Sequence, residues 1–483
     1  MRTLFLALVI SSWIAPHVLA QRAAGEGASR SVRSFGAVGD GQADDTAAIR
    51  RALDAGVGEI RLSKGVYRIT ETIVIDLDKT GYVSLSGHGV ARVVMAGPGP
   101  AFQFAGTHFK SADPQNYQPA VWDRQRMPIV DGVAIVGDHP EADGIEAVGT
   151  MQLTVTRVHL RQLRHGILLR ENNRNVLIAD SHIYENRGVG IYYDNVNLHQ
   201  SNITNCHISY NAGGGIVSRG GNVRNLHVTG CDIESNMTAD APATANVLID
   251  CTTSAAGTGE VAITGCTIQH NPTSPDSANI RILGRSQSER GGQPVREGNV
   301  TITGNVLSDV QVNVHLRGCR GVAITGNTFW QGYQHDLLVE DSSSVVLGAN
   351  NLDRNPRYNS GNARDSRNGV MFRNCQDCTL TGLHISQVWQ APAGLVLEDC
   401  RRMHVTQCTV LDCDQAGVLL KSVSLSRIAD CLIRNDRPDQ PADSIVVQGG
   451  SSNTLTDNVL SRDVRTEGAA GQVLRDNVVV ATP

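Results

Sequence analysis

The chain has few aromatic residues and no excess of positive charge. Phe, Trp and Tyr make up 4% of its 483 residues, and the formal net charge is −5. Proteins that bind nucleic acid electrostatically are normally basic, so this charge argues against a nucleic-acid partner. Few large side chains together with 49 glycines favour a thin, turn-rich β-structure over a helical core.

Long apolar runs are also lacking after the N-terminus. The chain opens MRTLFLALVISSWIAPHVLAQ, in which Arg2 precedes an apolar stretch and Val18 and Ala20 are small residues suited to a cleavage site. This pattern predicts a signal peptide at 1–20, a linker at 21–30, and a secreted or periplasmic protein without a membrane span. A membrane anchor is the alternative, but the run is short and contains Pro16.

A short phrase recurs along most of the chain. NVRNLHVTGCDIESNM follows SNITNCHISYN and precedes EVAITGCTIQHN, and HVTQCTVLDC and SRIADCLIRN appear far downstream. The unit places two apolar residues around a Cys or Asn and ends on an Asn, and it returns roughly every 22 to 35 residues. A second short apolar stretch beginning with Gly follows most units, as in GIYY at Gly190.

Short strands at a fixed period predict an all-β fold, a parallel β-helix in which each coil pairs with its neighbours. A β-propeller is the alternative, but its blades need about 40 residues each. Equivalent positions should stack, and we expect Asn186, Asn211, Asn236 and Asn271 to form one ladder of side-chain amides. We predict a single domain from residue 31 to 483.

Eleven cysteines in a secreted chain first suggest disulfides. Cys206, Cys231 and Cys266 however share one repeat position, and so do Cys408 and Cys431. Cysteines in register with the apolar repeat act as small core residues. We therefore expect mostly free, buried thiols.

The N-terminal segment supplies a cap and a resemblance. In SFGAVGDGQADDTAAIRRAL, Asp44 or Asp45 can cap a short helix that buries Ile49 and Leu53 over the open end of the coil. This segment, followed by GEIRLSKGVYRI, resembles the opening of the pectate-lyase-like right-handed β-helix superfamily. That group includes polygalacturonase-like hydrolases, pectate lyases, uronan epimerases and phage tailspikes, so the resemblance implies a right-handed parallel β-helix with a carbohydrate-related function.

The resemblance transfers no catalytic residues. Polygalacturonase-type hydrolases carry an ordered set of Asn-Thr-Asp, Asp-Asp, Gly-His-Gly and Arg-Ile-Lys motifs, and this chain has no such set in the right places. Alginate epimerases use Asp-Pro-His-Asp, whereas the similar stretch here is Tyr333-Gln334-His335-Asp336, without the proline.

Chemically rich residues cluster at one repeat position. Just before the second apolar residue, consecutive coils carry His159, His182, His207 and Asp232. Two residues further on they carry Arg161, Tyr184, Ser209 and Glu234. By strand alternation these side chains point outward on one face. Further along the chain the same position is occupied by residues that do not ionise, as at Thr267 and Val306.

Two chemistries fit this face, and a third interpretation is structural. In glycoside hydrolysis a pair of carboxyls acts as acid and base or nucleophile, a role open to Asp232 and Glu234. In β-elimination His182, His207 or Tyr184 would take the proton while Arg161 neutralises the substrate carboxylate. The alternative is a hydrated polar face without chemistry.

Residues 106–128 interrupt the repeat and contain Tyr117 and Trp122, which could stack on sugar rings. Long insertions on such scaffolds are often functional loops, so we expect a cleft wall beside the ladder that binds substrate, or else a second end cap.

The sequence therefore predicts a secreted protein that cleaves a polysaccharide partner, or a non-catalytic glycan-binding or surface-structural protein as the alternative. The sequence requires no cofactor, and it contains no recognisable ligand spacing that would support a calcium site. It does not define the metal need or the oligomeric state.

Overall fold

Each coil of the chain pairs in parallel with the coil before and the coil after it. The structure is a computed structural model that describes residues 31–110, 114–240 and 242–480. The predicted signal peptide and linker at 1–30 lie outside the described residues. A coil contains three strand positions, which we call stacks A, B and C in chain order, and the coil beginning at Ser201 shows all three.

Four of the described strands pass a corner and serve two stacks: Ser84–Met95 and Ile129–Gly137 serve A and B, and Ile167–Ala179 and Val189–Thr204 serve C and A. The other strands of stack A are Glu59–Arg61, Thr154–Thr156, Asn222–Thr229, Gly257–Thr264, Gly298–Thr303, Arg320–Thr325, Ser343–Leu347, Thr379–Thr381, His404–Thr406, Arg427–Ala429, Thr454–Thr456 and Val473–Arg475. Those of stack B are Asp40–Asp44, Gly65–Ile69, His159–Arg161, His182–Tyr184, His207–Ser209, Asp232–Glu234, Thr267–Gln269, Val306–Ser308, Thr328–Phe329, Asn351–Leu352, His384–Ser386, Thr409–Leu411, Leu432–Arg434, Val459–Leu460 and Val478–Val479. Those of stack C are Ile73–Asp76, Gly99–Ala105, Ala142–Met151, Gly214–Arg219, Ala245–Asp250, Ala278–Leu283, Val310–Arg317, Gly332–Glu340, Gly369–Arg373, Leu395–Glu398, Ala416–Lys421, Asp443–Gln448 and Arg465–Glu467.

Helical segments are short, and one strand pair lies outside the coil. The helical segments are Val32–Phe35, Thr46–Asp54, Leu77–Thr80, Pro114–Asn116, Val121–Gln125 and Gly361–Asp365. An antiparallel hairpin, Arg285–Arg290 with Gln293–Arg296, projects between stacks C and A. No helix among the described residues is both long and apolar enough to cross a membrane.

The predicted helix that covers the N-terminal end of the coil is present, and the two aspartates before it make different hydrogen bonds. Helix Thr46–Asp54 buries Ile49 completely and packs Leu53 partly against the core. The N-cap position is Asp45, whose side chain does not cap the helix, and the Asp44 carboxylate accepts a hydrogen bond from the amide of Thr46, the first helical residue, at 3.0 Å. Asp45 is buried and instead accepts hydrogen bonds from the amides of Val38 and Gly39, fixing the preceding turn.

The cysteines line the interior as predicted. All eleven are free and buried. Cys206, Cys231 and Cys266 stack on successive coils, and the amide of Cys231 donates to Sγ of Cys266 at 3.4 Å. Asn305 continues this column, because its Oδ1 accepts a hydrogen bond from the amide of Cys266 at 2.9 Å. A small side chain that accepts a hydrogen bond therefore fits this corner, whether thiol or amide.

The predicted asparagine ladder exists, but its later members come from a different part of the coil. Asn186 donates to Asn211 and Asn211 to Asn236, both at 2.7 Å. The ladder then continues through residues of stack C: Asn246, Asn279, Asn313 and Asp336. The expectation for Asn271 is wrong, because its amide donates to the carbonyl of Met237 and its Oδ1 caps Thr273. The longer connection between stacks B and C moves Asn271 off the axis.

Glycines at the start of stack C are needed because atoms of the next coil lie very close to them, and not because they form the turn. A Cβ on Gly190 would lie 2.7 Å from the carbonyl oxygen of Gly215 and 3.0 Å from Nδ2 of Asn211. Real Cβ atoms do not approach so closely, so the inner amide ladder excludes any larger residue here. The left-handed turn positions are filled by other residues, such as Glu185 at φ 54°.

Candidate functional site

Outward-facing residues of stack B form a continuous polar face, which we call the polar ladder. It comprises His159, Arg161, His182, Tyr184, His207, Asp232 and Glu234. Strand pairing agrees with the predicted register, because His159 lies opposite His182, His182 opposite His207, and His207 opposite Asp232. The residue between each flanking pair is fully buried, as Ile233 is, so its neighbours point to the surface.

Tyr184 lies in a tightly packed group at the start of the ladder. Its ring is 4.9 Å from that of His159, and the guanidinium of Arg161 lies 5.9 Å from its centre. Arg161 also pairs with Glu185, at 2.6 Å between Nη2 and Oε2. Burial lowers the pKa of His159, and the positive charge of Arg161 lowers it further, so His159 is neutral at neutral pH. Its Nε2 is buried and has no hydrogen-bond partner among the described residues.

His182 and His207 are exposed and lie in contact. Their ring centres are 4.9 Å apart and the rings are nearly perpendicular, at 83°. Two adjacent imidazoles at the surface can form hydrogen bonds with solvent or substrate.

Asp232 and Glu234 form the carboxyl pair of the ladder. They are two residues apart on one strand, a spacing of about 6.8 Å between Cα atoms. Burial raises the pKa of Asp232, and the neighbouring Glu234 carboxylate raises it further against the opposing effects of His207 and His270. Glu234 accepts a hydrogen bond from Nε2 of Gln269 at 3.3 Å. The pair therefore places a carboxyl of raised pKa beside one that accepts a hydrogen bond.

The structure adds two titratable residues that the sequence interpretation did not include. Nε2 of His270 lies 3.8 Å from Oε2 of Glu234, and its Nδ1 lies 3.7 Å from Oδ2 of Asp309. His270 and Asp309 each follow directly after a strand of stack B, one residue beyond the repeat positions from which the ladder was predicted. They adopt left-handed backbone conformations, each at φ 59°, which directs them toward the ladder. Following that turn position through the repeat would have found them.

The structure places Tyr117 and Trp122 in a different part of the coil. Residues 106–128 connect stack C to stack A, whereas the ladder lies on stack B. Tyr117 packs at 5.5 Å from His108, 6.2 Å from Trp122 and 5.2 Å from the guanidinium of Arg174. The expected cleft wall beside the ladder is therefore not built by this segment. Position along the sequence indicates the coil to which a connection belongs, but not the edge of that coil.

A stacked aromatic pair does border the ladder further along. Trp330 follows the strand Thr328–Phe329 of stack B, three coils after Glu234 and in line with it. Its ring lies 5.7 Å from that of Tyr358, nearly parallel at 23°. Tyr358 belongs to the connection from stack B to stack C, and 45% of its surface is exposed. At about 4.8 Å per coil, this pair lies about 14 Å from Glu234.

Metal binding finds no support in the described ranges. Within residues 31–110, 114–240 and 242–480, no group of three or more His, Cys, Asp or Glu side chains is arranged to hold a metal ion.

Solved structures similar to this chain share its fold at low sequence identity. The pre-mature gene product 12 of bacteriophage phi29 matches with 13% identity and a TM-score of 0.53, covering 92% of this chain and 56% of that one. The A-module of the mannuronan C-5 epimerase AlgE4 of Azotobacter vinelandii matches with 14% identity and a TM-score of 0.37, covering 93% and 99%. The tailspike protein of E. coli bacteriophage HK620, in complex with a pentasaccharide, matches with 12% identity and a TM-score of 0.48, covering 86% and 78%. No curated protein sequence matches the chain.

A family model named for the right-handed β-helix region matches residues 121–268 and 357–470. Together these matches cover more than half of the chain and include the whole of the polar ladder. In agreement with the resemblance of its N-terminal motif to the pectate-lyase-like superfamily, the chain belongs to the right-handed β-helix family.

Proposed function

We propose that residues 31–483 form one secreted or periplasmic β-helix domain that cleaves a polysaccharide along the polar ladder, by hydrolysis. The observation that carries this proposal is the Asp232–Glu234 pair, in which burial and the second carboxylate raise the pKa of Asp232. Glycosidases use two carboxyls about 5 to 9.5 Å apart, one protonated and one ionised.

Each carboxyl has a distinct role. Asp232, whose pKa is raised by burial, donates a proton to the leaving glycosidic oxygen. Glu234, with Gln269 and His270 beside it, is the second carboxyl and either attacks the sugar or activates a water molecule. Trp330 and Tyr358 provide a flat aromatic surface on which a more distant sugar ring can stack.

β-Elimination is the second candidate, favoured by the exposed His182–His207 contact. It needs a cation to neutralise a substrate carboxylate, and Arg161 is already paired with Glu185. This pairing makes hydrolysis the better supported chemistry. A glycan partner is supported by the resemblance of the N-terminal motif to a superfamily whose members act on polysaccharides.

The test is activity on a panel of neutral and uronic-acid polysaccharides, with reducing ends and unsaturated products measured separately. Under hydrolysis we expect Asp232→Asn or Glu234→Gln to lower kcat by about 10²–10⁴-fold, because each removes an acid–base group. His207→Ala and Tyr184→Phe should then retain most activity.

Thr409→Ala is the matched control, since Thr409 occupies the same position of stack B in a distant coil. Unsaturated products that disappear in His207→Ala or Tyr184→Phe would move the assignment to a lyase. Binding without any product from the wild-type chain would favour the non-catalytic alternative and overturn the proposal.

A further inference from the structure

A cavity of about 1000 Å³ lies on the edge between stacks C and A, away from the polar ladder. The antiparallel hairpin Arg285–Arg290 with Gln293–Arg296 forms one side, and the corners of the following coils form the other. The charged residues that line it are Arg285, Arg290, Arg296, Arg317, Arg320 and Asp341. Five guanidinium groups thus share one cavity with a single carboxylate.

Only one of these five arginines forms an ion pair among the described residues: Arg317 lies 3.7 Å from Asp341. The next carboxylate along this edge, Asp377, forms its ion pair with Arg402, although the charge of Arg320 also acts on it. The contrast with the chain as a whole is large, because its net charge is −5.

The hairpin itself brings like charges together. Arg285 and Arg296 occupy directly paired positions on its two strands. Like charges directly opposite each other destabilise a strand pair, so an anion bound between them would favour the hairpin. Gly291 and Gly292, both left-handed, close the turn that permits the pairing.

We infer that this cavity binds a carbohydrate chain that carries repeated carboxylate or sulfate groups. Planar guanidinium groups bind such oxyanions through paired, charge-assisted hydrogen bonds. Pro294 and Val295 add apolar surface for the sugar rings. In the part of the chain that the structure describes, no aromatic side chain lines the cavity, so the base stacking that holds single-stranded nucleic acid is not provided there.

The choice of carbohydrate over another polyanion rests on the proposed function, whereas the accumulation of unpaired arginines does not. The cavity would hold an acidic polysaccharide at a place separate from the carboxyl pair. The arginines of the cavity indicate that the polysaccharide is negatively charged, whereas the polar ladder does not indicate its charge.

The test compares binding of an oligogalacturonate, a sulfated oligosaccharide and a neutral oligosaccharide of equal length to the full chain. We expect the double variant Arg285→Gln/Arg296→Gln to bind the anionic probes about tenfold more weakly per arginine removed. The slope of log affinity against log salt concentration should fall by about one per arginine. Arg364→Gln/Arg462→Gln removes the same charge from exposed positions elsewhere and should bind as the wild type does.

Three results would overturn the inference. They are unchanged affinity in the cavity variant, equal binding of the neutral probe, and equal weakening in the control variant. Tighter binding of a single-stranded oligodeoxynucleotide, lost in the cavity variant, would replace the carbohydrate by nucleic acid. Cleavage by Asp232→Asn is measured separately, and if this variant cleaves normally the hydrolase proposal fails while this one stands.

Discussion

Asp336 ends the inner asparagine ladder with a carboxyl group where every preceding rung is an amide. It is completely buried, its Oδ1 accepts hydrogen bonds from Nδ2 of Asn313 at 2.8 Å and the amide of Gly332 at 3.1 Å, and its Oδ2 has no partner among the described residues. Burial raises the pKa of Asp336 to about 6, against the opposing effects of those two hydrogen bonds and of Arg354. Replacing it by asparagine should therefore stabilise the fold at neutral pH.

The magnitude follows from proton linkage. An unfolded aspartate has a pKa of about 3.9, so the folded value is higher by about two units, and each unit corresponds to about 1.4 kcal/mol. Because the folded pKa is the higher one, stability is greatest below the unfolded pKa and is lost as pH rises through the folded value. Above about pH 7 the ionised Asp336 lowers the free energy of unfolding by about 3 kcal/mol.

The assay is urea unfolding of the wild type and Asp336→Asn at about pH 4 and about pH 7.5. We expect the variant to gain up to about 3 kcal/mol at the higher pH and almost nothing at the lower, where the wild-type carboxyl is largely protonated. Asn279→Asp is the matched control, since it introduces a carboxyl into the same ladder and should destabilise the fold most at the higher pH. A gain independent of pH, or no gain at the higher pH, would refute the reasoning.

Two further predictions concern the aromatic pair and the thiols. Trp330→Ala should raise KM for a long polysaccharide with little change in kcat, because in the proposed function Trp330 binds a sugar remote from the carboxyl pair. Steady-state kinetics on long and short substrates checks this, and a loss confined to kcat would contradict it. Burial raises the pKa of Cys251 and Cys319 to about 12, so neither thiol should react with a thiol reagent in the native chain at about pH 8. Both should react in urea. Labelling is measured by mass spectrometry, and rapid labelling of the native chain would show that the described packing of these thiols is wrong.

Periodicity in the amino-acid sequence was enough to establish the fold and the register of the ladder. A strand alternates its side chains between two faces, so apolar residues that recur at a fixed repeat position leave only one way to bury them. Ile183, Ile208 and Ile233 determined the orientation of His182, His207 and Asp232 in this way. The same logic identified the cysteine column, because those thiols share an inward repeat position.

The edge of the coil that each connection occupies became visible only in three dimensions. The repeat shows that residues 106–128 interrupt a coil, but only the closed coil shows that Tyr117 and Trp122 lie between stacks C and A while Trp330 borders the ladder. Arrangements of residues far apart in the sequence were equally hidden. Arg285 and Arg320 line one cavity although the coil that begins at Gly298 separates them in the sequence. The amide ladder passes from Asn236 to Asn246 because the connection between stacks B and C lengthens there. Local pattern specifies the strands, whereas the path of the irregular connections is set by what each one packs against.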